Sequence, residues 1–243
     1  MSETDTRQLR STVPKQVRLL VLAGIPFGVI VAGLGGRLAM LVLRITSPDS
    51  VIGVQSDDDF TIGKVTFGGT YNLMMLGAVI GIIGVAAYQC VSPRLIGPLW
   101  FRRLTLALGS GAVVGSMLVH ADGIDFRVLK PTWFAISLFV ALPALFGLLI
   151  GPVVDRVAAR LSAAPNRKRE WVLPAVLALA FPLSLFVLML ATVIYTLWAA
   201  VRDNSDARRI LQGRVQMVVV RGLWLGIAVL GLLSLMGDIE DLM

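Results

Sequence analysis

His120 stands two residues before Asp122 and five before Asp125, the one local cluster in this 243-residue chain able to exchange protons with a substrate. Ser110, Ser116, Ser137 and Ser184 supply hydroxyls, but with a single imidazole any Ser-His-Asp arrangement must use His120. Two bases, Arg37 and Arg221, sit inside long apolar runs. An arginine at the centre of a membrane span costs about 2.5–3.5 kcal/mol even on the permissive insertion scale. Each must therefore either snorkel to a headgroup layer or hold an anion or a carboxylate. The third group is acidic: Asp57, Asp58 and Asp59 are adjacent in a polar stretch that also carries Asp49. Neighbouring side chains on an extended strand point to opposite faces, which does not suit a calcium ion needing six to eight oxygens. Pairing with Arg37, Arg44 and Arg221, so that the loop seats as a lid, is the better use of these charges. The candidate binding residues are thus Arg37, Arg44, Asp57, Asp58, Asp59 and Arg221.

Much other chemistry is missing from the sequence. Cys90 is the single cysteine, so no internal disulfide forms, and a lone Cys and lone His do not assemble a zinc site. No pair of histidines recurs at helical spacing, and neither a P-loop nor G-x-G-x-x-G occurs. No catalytic residue, metal or cofactor is assigned. All fifteen acidic residues lie outside the apolar blocks, which weighs against a proton- or cation-coupled carrier, since such a carrier holds its ion on an intramembrane carboxylate.

The elements that position these residues follow from composition. Hydrophobic residues make up 56% of the chain and charged residues 15%, with a mean hydropathy of +0.82. Soluble domains average about 45–50% and about 25%. A helix needs about 20 mostly apolar residues to cross a bilayer. Six blocks qualify, at about 19–43, 73–91, 104–119, 133–154, 172–201 and 217–236. The sequence therefore predicts an all-α integral membrane protein, a bundle of six transmembrane helices over 19–236. A polar tail, 1–18, precedes it and a short tail, 237–243, follows. The first block is longer than a signal-peptide core and no small-residue cleavage site follows it, so it is expected to stay as a span. Within the bundle, residues 45–72 form an acidic extracytoplasmic loop. There Val51 to Gln55 and Phe60 to Phe67 favour extended structure on either side of a turn at Ser56 to Asp59, predicting a short β-hairpin-like loop.

Basic residues set orientation. Arg7, Arg10, Lys15 and Arg18, then Arg94, Arg102 and Arg103, then Arg156, Arg160, Arg167, Lys168 and Arg169 fall on one side of the six-span arrangement. They outnumber Lys64, Arg127, Lys130, Arg202, Arg208, Arg209 and Arg214 on the other, which places the N-terminus in the cytoplasm. One conflict stands: the basic connection 203–216 falls outside, whereas Asp238, Glu240 and Asp241 fall inside. A single kinked crossing by 172–201 is favoured. The alternative is that Pro174 and Pro182 break that block into a re-entrant hairpin, too short for two full spans, which would reverse both placements.

Glycines four apart, at 24/28, 77/81, 111/115, 147/151 and 222/226, predict close helix packing and possible protein or homo-oligomer contacts. Trp171 beside Arg167, Lys168 and Arg169 reads as an interface anchor near anionic lipid. A net charge of +7 does not imply nucleic acid, because the bases occupy short connections with no interleaved aromatic stripe. The leading functional expectation is a multi-pass protein of a bacterial inner or plasma membrane, binding lipid or a protein partner. The first alternative is a small-solute or anion permeation protein using Arg37 and Arg221. The second is a membrane-embedded enzyme centred on His120.

Overall fold

The computed structural model describes residues 13–55, 61–121, 123–163, 168–202 and 214–242, and what they form is almost wholly helical. In chain order the helices are α1 (Val13–Thr46), α2 (Phe67–Val91), α3 (Leu99–Leu118), the short α4 (Ile124–Val128), α5 (Thr132–Ala163), α6 (Val172–Ala180), α7 (Pro182–Arg202) and α8 (Arg214–Leu242). Four stretches are long and apolar enough to cross a membrane: Val13–Thr46, Phe67–Arg94, Thr132–Ala163 and Met217–Leu242, with mean hydropathies of 2.2, 2.0, 2.4 and 2.1. Large apolar side chains stand bare along them, among them Ile30, Ile83 and Leu230. Such faces are rare on a soluble monomer and suit contact with lipid.

Six comparable spans are not confirmed, for two of the expected blocks differ from the other four. α3 is 20 residues long, but Arg102 and Arg103 occupy its first turns, and it is not among those four. The block at 172–201 is two helices meeting at 118°, far beyond a kink. Pro182 has no N–H to donate, and its ring disfavours a helical conformation in the residue before it. Phe181 accordingly leaves the helix, with φ −127° and ψ 76°. By contrast, α5 continues unbroken through Pro143. The expected β-hairpin reduces to one antiparallel bridge, Gln55 to Thr61, flanked by Gly53 N–H to Ile62 O (3.0 Å) and Ile62 N–H to Val54 O (2.9 Å). Among the described residues there is no strand, and the turn itself, 56–60, lies outside them.

The chain divides into two compact units. The first comprises 1–29, 75–95 and 150–222. Here α1 crosses α2 in antiparallel sense, with Gln16 near Gln89, Gly24 against Ile82, and Gly28 against Gly77 and Gly81. Pro26, which cannot donate to the preceding turn, is flanked by two wide π-helical turns, Leu20–Gly24 and Val29–Leu34. α6 packs on the Leu20–Gly24 turn.

The second unit comprises 30–74, 96–149 and 223–243. Its core gathers Leu43, Val119, Phe126, Leu129, Ala135, Ile136 and Leu235. α3 and α5 run antiparallel, with Gly147 against Leu106, Gly111 against Ala144, and Gly115 against Val140. α3 and α8 run parallel: Gly109 meets Trp224, Gly231 meets Val113, and Asp238 accepts the Ala121 N–H at 3.2 Å. Buried Ser47 takes the Lys130 N–H (3.0 Å) and returns its hydroxyl to the Lys130 carbonyl (3.2 Å). Ser47→Ala strips partners from two backbone groups at once. It should cost about 1–3 kcal/mol, seen as a lower thermal midpoint in detergent, whereas Ser50→Ala, at an exposed site, should leave the midpoint unchanged.

Candidate functional site

Of the charges singled out in the sequence, the three arginines are described, and each donates to a partner. In the second unit, the Arg37 guanidinium donates through Nη2 to the Lys64 carbonyl at 3.2 Å, while its Nε is buried with no acceptor among the described residues. Arg44 Nη2 meets Asp49 Oδ1 at 3.1 Å, but Asp49 is 93% exposed, so the pair carries little energy. These two contacts tie the 47–66 loop to α1. Asp57, Asp58 and Asp59 lie outside the described residues. In the first unit, Arg221 Nε donates to the Arg94 carbonyl at 2.6 Å. Arg94 belongs to the connection after α2.

His120 is exposed at the end of α3. The cavity beside it, about 500 Å³, is lined among the described residues by Ala121, Phe126, Arg127, Lys130, Asp241 and Leu242, without the imidazole. The side chains of Asp122 and Asp125 are outside the description. Among the described residues no three His, Cys, Asp or Glu side chains gather closely enough to hold a metal ion.

Among the described residues the most enclosed charge is Arg18, whose place in the sequence suggests only an orientation signal. Arg18 is buried, with only 5% of its side chain accessible, and it meets Glu170 Oε2 through Nη2 at 2.5 Å. Its Cζ lies 5.9 Å from the centre of the Trp171 ring. This pair fastens the start of α6 to the start of α1. Three elements build the place: α1 brings Arg18 and Leu22, the last turn of α5 brings Arg160 and Leu161, and the 3-10 turn Lys168–Trp171 leads Glu170 into α6. Together they line an open groove of about 310 Å³. Arg18 and Glu170 are 152 residues apart, and no spacing rule joins them. The one available signal was Trp171, already marked as an interface residue next to an acid.

No protein-family model, no curated protein and no solved structure matches this chain.

Proposed function

We propose that the chain is a multi-pass protein of a bacterial inner or plasma membrane, with its N-terminus in the cytoplasm, that works by binding lipid or a protein partner. In this reading five helices cross, α1, α2, α3, α5 and α8, while α6 and α7 form a re-entrant hairpin entered and left on the cytoplasmic side. The observation that carries it is the direction of α8. Leu235 shares a core with Leu43 at the end of α1 and Val119 at the end of α3, and α8 lies parallel to α3. Helices running the same way in a bilayer are separated by an even number of turns. The segment between α5 and α8 must then return to the face it left. α6 has 9 residues, about 14 Å of helix, roughly half the hydrocarbon thickness.

The charges agree with this direction. Arg202, Arg208, Arg209 and Arg214 join the cytoplasmic set, only Lys64, Arg127 and Lys130 stay in the opposite connections, and the acidic tail moves outside. The conflict of the six-span arrangement disappears. Cysteines placed at Ser50, Ser162 and Ser205 in a Cys90→Ser background test the reading with a membrane-impermeant maleimide. Ser50 should label in intact cells, and Ser162 and Ser205 only after permeabilisation. Labelling of Ser205 in intact cells would overturn it.

Anion permeation keeps one observation in its favour, the buried Arg37 Nε without an acceptor among the described residues. Arg37→Met separates the two readings. On the binding reading it leaves the fold within about 1 kcal/mol, because a half-satisfied buried cation adds little stability, and leaves liposome anion flux unchanged. A loss of flux of tenfold or more would favour permeation instead.

A further inference from the structure

The groove beside Arg18 has an uneven lining. Leu22, Leu161, Leu173 and Pro174 make it apolar, and Arg18, Arg160 and Glu170 bring charge to it. Two of those charges neutralise each other, since Arg18 and Glu170 are paired. Arg160 is exposed and has no hydrogen-bond or ion-pair partner among the described residues. Arg18 adds a second unmet demand: its Nε is buried and donates to nothing among them. What is left is one free guanidinium at the edge of an apolar groove, beside a tryptophan of the kind that sits at headgroup depth.

We propose that this groove binds an anionic phospholipid of the cytoplasmic leaflet, with Arg160 donating to the phosphate diester and one acyl chain lying on Leu22, Leu161, Leu173 and Pro174. The proposal rests on the membrane reading above and names the partner it left open. Guanidinium is the donor suited to a phosphate, offering two parallel N–H bonds. Inorganic phosphate shares that chemistry, but it would leave the apolar wall facing water, whereas a lipid covers it. Arg18 acts as a positioning residue: through Glu170 it holds α6, and so Leu173 and Pro174, against α1.

The test uses the full-length protein in detergent, titrated with phosphatidylglycerol or with phosphatidylcholine of identical chains, and read by native mass spectrometry. The wild type should retain phosphatidylglycerol about fivefold over phosphatidylcholine, the ratio that corresponds to one base near the headgroup. Arg160→Gln should bring that ratio close to one without moving the thermal midpoint, because its side chain is at the surface. Leu173→Trp, which fills the groove, should lower retention of both lipids. Equal retention by the wild type, or an unchanged ratio in Arg160→Gln, would overturn the proposal. Displacement of the lipid by millimolar inorganic phosphate would overturn the lipid as the source of the anion. The Ser162 and Ser205 labelling separates the two failures. If both sites stay cytoplasmic while the lipids are held equally, the groove assignment fails and the membrane reading stands.

Discussion

Leucine in place of Gly81 should leave almost no monodisperse protein to purify. A side chain there meets main chain, not a movable neighbour: even a first carbon would collide with the Gly24 carbonyl oxygen, and would lie 2.7 Å from Gly24 C and 2.9 Å from Gly28 Cα. Gly28 is blocked in return by Gly77 O and by Gly81 Cα at 2.6 Å. Ordinary overpacking of a core costs about 1–3 kcal/mol because side chains can shift. Here two helix backbones must part, so about 3 kcal/mol is the lower bound. The control is internal. Gly222 and Gly226 have the same spacing in α8, yet among the described residues nothing lies within 4 Å of a side chain added at either. Gly222→Leu and Gly226→Leu should therefore elute as the wild type does on size-exclusion chromatography in mild detergent. If Gly81→Leu does so too, the crossing of α1 and α2 is not built as described.

That contrast marks what the sequence could say about packing. Four-residue spacing puts two glycines on one helix face, and so the 24/28 and 77/81 pairs were legible. Spacing does not reveal which face meets a neighbour. In α8 the glycine in contact is Gly231, against Val113 and Ala112, and it belongs to no four-residue pair.

Removing one partner of the Arg18–Glu170 pair should have the second large effect. Glu170→Ala leaves a buried guanidinium with no counter-charge, and breaking such a pair costs about 3–5 kcal/mol. Replacing both, as Arg18→Met with Glu170→Leu, removes the charge together with its desolvation penalty and should recover most of that loss. Chemical unfolding of the single and double variants in detergent measures this. A Glu170→Ala protein as stable as the wild type would mean that Arg18 is solvated and that α6 is held by other contacts. The pair was not legible because its partners lie in a polar tail and in a basic connection, where charge ordinarily signals orientation.

The helices themselves were read correctly as helices, since unpaired backbone groups in hydrocarbon leave the chain little choice. Their directions were harder. The prolines at 174 and 182 and the misplaced charges at 203–216 raised the possibility of a re-entrant hairpin, but a long kinked helix satisfied the same hydropathy. The contacts that favour the proposed hairpin are tertiary: Gly109 with Trp224 and Asp238 with Ala121 run α8 parallel to α3.

The direction of α8 is therefore what most needs a direct measurement. Alkaline phosphatase, active only outside the cytoplasm, and green fluorescent protein, fluorescent only within it, can each be fused after Met243 of the full chain. With α8 parallel to α3, the phosphatase should be active and the fluorescent protein dark. A bright fluorescent protein with an inactive phosphatase would put the acidic tail back in the cytoplasm, and would contradict both the parallel pairing of α3 with α8 and the re-entrant hairpin.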